Sequence, residues 1–205
     1  MTSRLWWHAT LVFVVAATGC LTAGARGVLD ATDGPPSPAL AAAVVLSPIG
    51  ASVHALARST PVKLRIRAID VSVSLSKLGV NPDGTVEVPT NPQQPGWFRF
   101  GATPGQRGSA VILGHVDSYQ GPAVFFRLGT LHAGDRVAVR LADGAVARFV
   151  VFAVAEYPKA HFPARKVYGS HGYSALQLVT CGGKFDRSTG HYLSNIVVYT
   201  RLVGA

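Results

Sequence analysis

The chain has 205 residues, 48% hydrophobic and 14% charged, with 22 Gly, 13 Pro and a formal net charge of +9. That length holds one ordinary domain with a leader or tail, and the composition excludes a wholly disordered chain in favour of a body rich in strands and turns. From Pro61 onward 16 Lys and Arg face 8 Asp and Glu, but they are spread along the strands and never form a basic run of five, which speaks against nucleic acid and leaves attraction to an anionic membrane or cell-wall surface.

After Arg4, Leu5 to Ala25 run 21 residues without a formal charge, close to the ~20 that cross a bilayer as a helix. Trp6 and Trp7 stand at one end, where interfacial aromatic side chains belong. Small residues after the apolar stretch also suit a cleaved signal, and "ATGC" (Ala17 to Cys20) is similar to a lipoprotein cleavage box with Ala17 where a larger aliphatic is usual. Residues 1–26 are read as an uncleaved single-pass anchor with its N-terminus inside. All three readings put the rest of the chain outside the cytoplasm, where disulfides are possible. Residues 27–60, with "DGPPSP", "ALAAAVV" and "LSPIGAS", read as a linker.

The pattern changes at Pro61. "VKLRIRAIDVSVSL" alternates apolar and polar residues, the signature of a half-buried strand. A turn at Pro82-Asp83-Gly84 separates further strands, and "RVAVRLADGAVARFVV" reads as a hairpin. "SAVILGHV", "ALQLVTC" and "NIVVYTRL" add more strands, and "GPAVFFRLGTLH" is the one stretch expected to form a short helix. Seven or eight short strands with turns between them predict an all-β barrel or sandwich over residues 61–205.

Cys181 ends the run "ALQLVT" and has no disulfide partner outside the membrane segment, because the other cysteine is Cys20. A reactive thiol at a strand tip is the reading that remains. Gly182 and Gly183 beside it would let a peptide approach, and their N–H groups are candidate oxyanion donors. His115 in "AVILGHVDS" is also at a strand end, with Asp117 two residues on and on the same face to orient its ring. "HVD" joined by His161, His171 or His191 is the metal alternative; none has the tight spacing of a zinc site, and no metal or cofactor is expected.

A strand ending in "LVTC" (Leu178 to Cys181) with an earlier one ending in "LGHVDS" (Leu113 to Ser118) resembles the sortases, cysteine transpeptidases of Gram-positive surfaces. "GTVEVP", "GPAVFFRL", "YPK", "TCGGKFD" and "HY..N.VVY" follow in order across residues 61–202 and look most like the class F sortases of actinobacteria. The resemblance implies a closed eight-stranded barrel with one or two short helices, acting as a monomer on the outer face of the cell membrane. It also implies a His–Cys–Arg site, no cofactor and no nucleic acid. Cys181 would attack the Thr carbonyl of an LPXTG-like sorting signal to form a thioester, which a cell-wall amine resolves, with His115 moving the protons.

The arginine departs from that pattern. Leu193 and Ser194 stand where the resemblance implies a basic residue, and Arg187 is the one Arg between Cys181 and the last strand. Arg187 is therefore the expected oxyanion cation, folding back from its loop; Lys184 is too near the thiol in sequence. Thr180, Asn195 and Tyr192 are expected to line the substrate site, and Trp97 to be core. An exported acyl-transferase of the L,D-transpeptidase kind would carry a His beside its Cys, which "LVTCGG" lacks. A sortase-like module that binds peptide without turnover is the other class considered.

Overall fold

Alternation builds the barrel. In β1 (Pro61–Ile66), Leu64 and Ile66 are fully buried while Lys63 and Arg65 face solvent. A computed structural model describes residues 54–205; the expected membrane segment, Cys20 and the linker up to residue 53 lie outside the described residues. No helix among the described residues is long and apolar enough to cross a membrane.

The strands that follow are β2 (Val71–Ser74), β3 (Ser76–Leu78), β4 (Gly96–Phe98), β5 (Gly108–Leu113), β6 (Asp117–Ser118), β7 (Gly121–Pro122), β8 (Arg136–Leu141), β9 (Val146–Pro158), β10 (Ser174–Asp186) and β11 (His191–Gly204). Nine of them form one sheet in the order β2-β1-β8-β9-β11-β10-β5-β4-β3, and β6 pairs with β7 as a small ribbon. The two edge strands, β2 and β3, are separated in sequence by Leu75 alone, so the sheet curls until its edges meet. Taken as one strand, β2 and β3 bring the nine to the expected eight. The hairpin read from "RVAVRLADGAVARFVV" is present as β8 and β9.

Leu64, Phe149, Leu176, Leu178 and Val198 fill the interior. Trp97 joins them as expected, its indole N–H donating to the Ala102 carbonyl at 3.0 Å. A second apolar cluster, including Val111, Val179, Val197 and Tyr199, covers the outer face of the β5–β10–β11 region. It is capped by Val167 of α1 (Ala164–Tyr168), with Phe162 and Tyr168 packed against it. Because β5 and β10 are parallel neighbours covered on both faces, they read as continuous apolar runs rather than as alternation.

The helix expected in "GPAVFFRLGTLH" is absent; that stretch holds β7 and a single 3-10 turn at Leu128–Thr130, and the α-helix is α1 instead. Backbone partners explain the difference. The N–H groups of Ala123, Val124 and Phe125 donate to Val116, Pro92 and His115, so they are not available for helical bonds. Phe125 and Leu128 are fully buried, which pins the segment to the barrel.

Residues 54–60, at the end of the stretch read as linker, are bound to the barrel. Leu56 packs against the interior cluster and its N–H donates to Gly105 O at 2.9 Å. The Arg58 guanidinium donates to the carbonyls of Gly101 and Arg99 and lies 5.7 Å from the centre of the Trp97 ring. A chain beginning at residue 61 is therefore expected to be about 2–3 kcal/mol less stable than one beginning at residue 54, from lost apolar burial and a few hydrogen bonds. Urea unfolding of the two truncated chains measures this; equal midpoints would mean that residues 54–60 contribute nothing.

Candidate active site

Cys181 does not stand at a strand tip. β10 continues past it to Asp186, and the thiol is 1% exposed. Its side chain is on the outer face with Val179, whereas Thr180, one residue back, points into the barrel and is 3% exposed, its hydroxyl unpartnered. Successive strand residues alternate faces, so Thr180 cannot share a site with the sulfur. Asn195 of β11 is the direct cross-strand partner of Cys181 and shares its face, with Cβ atoms about 5 Å apart by ladder geometry.

His115 arrives from β5. That strand ends with Leu113 opposite Val179, and Gly114 N–H donates to Val179 O at 3.1 Å. One further pleat puts His115 level with Cys181 on the same face. A Cβ on Gly114 would come within 2.5 Å of the Phe125 ring, so the glycine before His115 is required by close packing. Phe125 N–H also donates to His115 O at 2.9 Å. The ring's Nε2 lies 2.7 Å from Pro89 O. A carbonyl oxygen only accepts, so Nε2 carries a proton in this bond.

Asp117 receives a hydrogen bond from the Tyr192 hydroxyl, and that bond is the main reason the Tyr192 phenol is pushed up to about 12. The ring of His115 is thus oriented by a backbone carbonyl, while Asp117 holds the tyrosine expected in the substrate site. Phe185 packs edge-on to Tyr192, with 5.1 Å between ring centres.

The charge beside the sulfur comes from Lys159, just after β9. Tyr157 of β9 is opposite Asn195, Pro158 is opposite Ser194, and the register continued one residue puts Lys159 opposite Leu193. Lys159 therefore stands one strand away from the position where an arginine was expected. Its ammonium lies within hydrogen-bonding reach of the Cys181 sulfur. Burial pushes the thiol up to about 12; Lys159 opposes that rise by charge and hydrogen bonding, and Asp117 adds to it. In the resting site Cys181 is a protonated thiol at neutral pH.

Gly182 and Gly183 do adjoin the sulfur. Gly183 has a φ of +73°, and the β10–β11 register shifts between Gly182 and Phe185, so this glycine supports a bulge immediately beyond the thiol. Arg187 is not brought to the site. It is exposed in the β10–β11 turn, beyond a strand that runs about 16 Å past Cys181, because β10 stays extended where a folded-back loop was expected. Lys184 is exposed on the same strand. Among the described residues no group of three or more His, Cys, Asp or Glu converges on a metal site. His171 lies instead 3.3 Å from Gln177 Nε2.

Lys159 stands in "YPK", where no local pattern marks it as a site residue. The signal lay in strand pairing: β11 runs between β9 and β10 and carries Lys159 to the thiol across two strand spacings.

The sortase domain family matches residues 64–203. The chain belongs to the sortase family. No curated protein matches the chain in sequence. Sortase A from Corynebacterium diphtheriae is similar in fold at 17% identity and a TM-score of 0.56, over 73% of this chain and 63% of that one. Sortase C-1 from Actinomyces oris is similar at 20% identity and a TM-score of 0.56, over 71% and 76% of the two chains. A Clostridium perfringens sortase D5 transpeptidase gives 18% identity, a TM-score of 0.53 and coverage of 71% and 79%. At these identities the likeness carries the sortase fold. It agrees with the barrel read from the strand pattern.

A thiol held up at about 12 makes a pH prediction for this sortase. Below that value the thiolate fraction rises tenfold per pH unit, so alkylation of the substrate-free protein by a small thiol reagent should rise about tenfold per unit with no plateau near neutrality. A plateau beginning near pH 7 would contradict a burial-dominated thiol.

Proposed function

We propose that this sortase is a transpeptidase of the class F kind. It cleaves an LPXTG-like sorting signal at its threonine and passes the acyl group to a cell-wall amine. The observation that carries the reading is the approach to Cys181 of β10 by His115, two residues past the end of β5, and by Lys159, just past the end of β9, on the outer side of the β9–β11–β10–β5 sheet. The class F assignment rests on the ordered motifs "GTVEVP", "LGHVDS", "YPK" and "TCGGKFD". In the same reading Leu5 to Ala25 anchors a monomer, with the barrel on the outer face of the cell membrane.

In this mechanism the substrate first shields the site, and His115 Nδ1 takes the proton from Cys181 as sulfur attacks the threonine carbonyl. The Lys159 ammonium favours the thiolate and then the developing oxyanion, where a cation in a water-poor site acts most strongly. The amide bond breaks as His115 returns the proton to the leaving amine, giving the acyl thioester. An incoming amine attacks the thioester, loses its proton to His115, and releases the sulfur. Asn195 and Tyr192, flanking the thiol, bind the peptide backbone.

Lys159 thus takes the role that the arginine plays in the family's pattern. Cys181→Ala should abolish thioester and product, and His115→Ala should be nearly as severe. Lys159→Met should lower kcat by about 10²–10³-fold, the usual cost of one oxyanion donor, while Arg187→Ala stays within a few-fold of the parent. Turnover of a sorting-signal peptide with an added amine measures all four. Product at the parent rate from Cys181→Ala ends the cysteine mechanism, and a large kcat loss in Arg187→Ala with none in Lys159→Met returns the cationic role to Arg187.

A further inference from the structure

The alternation that sorts the core also sorts the charges. In β1 Lys63 and Arg65 face outward beside buried Leu64 and Ile66; in β8 Arg136 and Arg140 do so around Val137 and Val139; in β9 Arg148 stands between Ala147 and Phe149. These three strands are consecutive in the sheet. Lys63 lies directly opposite Arg140, and Ala138 sits between Arg65 and Arg148. Together with Arg67 they border a hollow of about 580 Å³. Six of the 16 cations counted from Pro61 are thereby gathered on one face, although no two of the six are adjacent in sequence.

Among the described residues nothing on the face neutralises them. No Asp or Glu comes from the outward positions of β1, β2, β8 or β9 here, and the salt bridge among the described residues, Arg127–Asp70, involves none of the six. Like charges directly opposite each other on a sheet destabilise it. The core does not require this arrangement, since a serine at each outward position would leave the buried residues untouched. Folding therefore does not account for the face, and an anionic partner does.

The face is also remote from the thiol. The middle strand of the face, β8, is three steps from β10 around the sheet, and Arg148 lies at the end of β9 away from Lys159. A ligand held there leaves the Cys181 face open.

We propose that this hollow binds a flexible phosphodiester polymer that lacks aromatic bases, of the polyol-phosphate class. A flexible chain can follow the curl of β1, β8 and β9 and meet all six exposed cations, whereas a planar bilayer touches a curved sheet along a narrow strip. Among the described residues no exposed aromatic side chain borders the hollow, and Phe149 beneath it is fully buried, so they offer no platform on which nucleic-acid bases could stack.

The test is binding of the full-length chain, in neutral-detergent micelles, to immobilised poly(glycerol phosphate) at several salt concentrations. Six phosphate contacts should give a slope of log K against log salt of about −4. Replacing Arg65, Arg136, Arg140 and Arg148 together by Ser should weaken binding roughly a hundredfold and reduce the slope to about −1.5. A control that removes the same charge elsewhere, with Lys77, Arg165, Lys184 and Arg187 changed to Gln, should keep binding within a few-fold of the parent. If the fourfold Ser variant does not fold, the parent slope and the single Arg140→Ser variant carry the test, with a slope shallower than about −1 counting against the proposal. Equal losses in the two multiple variants would reduce the effect to net charge and overturn it. So would a stronger preference for micelles doped with phosphatidylglycerol, or for single-stranded DNA, over the polymer.

Discussion

The register that clamps β10 between parallel β5 and antiparallel β11 decides which side chains can meet. It turns Leu176, Leu178 and Thr180 into the barrel and Val179 and Cys181 out of it, and it aligns Cys181 with Asn195. The same ladder extends to β9, whose pairing with β11 delivers Lys159 to the sulfur. A one-residue slip of β10 would exchange the faces, bury Cys181 in the core and present Thr180 in its place. The slip is opposed on both sides, because β10 is fully buried from Ser174 to Gly182 and misplacing that apolar run costs many kcal/mol.

Burial and charge act on the thiol in opposite directions, and burial wins. The resting sulfur is protonated, with Lys159 in place to favour the thiolate once the proton has a destination. A protonated, covered thiol is a poor target for oxidation, since the thiolate is the species that oxidants attack. For a barrel proposed to work outside the cytoplasm, with no second cysteine among the described residues, that restraint has a use. In the proposed mechanism the catalytic state arises only when substrate displaces solvent and brings an electrophile to the sulfur.

The strands, and two residues of the candidate site, were legible in the sequence because each depends on local information. The β8–β9 hairpin is written in alternation and an Ala-Asp-Gly turn, and His115 and Cys181 end recognisable apolar runs. The expected helix in "GPAVFFRLGTLH" failed because its backbone donors are taken by Val116, Pro92 and His115, which no local pattern reveals. Arg187 was chosen for its place in the chain, but β10 remains extended and carries it away from the thiol. Lys159 was overlooked for the opposite reason, being distant along the chain and adjacent across two strand pairings. The basic face was hidden in the same way: charges scattered in sequence become one surface only when β1, β8 and β9 lie side by side.

The central claim is contact between the Lys159 ammonium and the Cys181 thiol. Ortho-phthalaldehyde condenses with a thiol and an amine that touch, joining them in a single fluorescent isoindole. Treatment of the full-length chain followed by peptide mapping should yield one isoindole, joining Lys159 Nζ to Cys181 Sγ, and Lys159→Arg should abolish it. Cys181 joined to Lys184 instead, or no isoindole at Cys181 in a folded protein, would contradict the account.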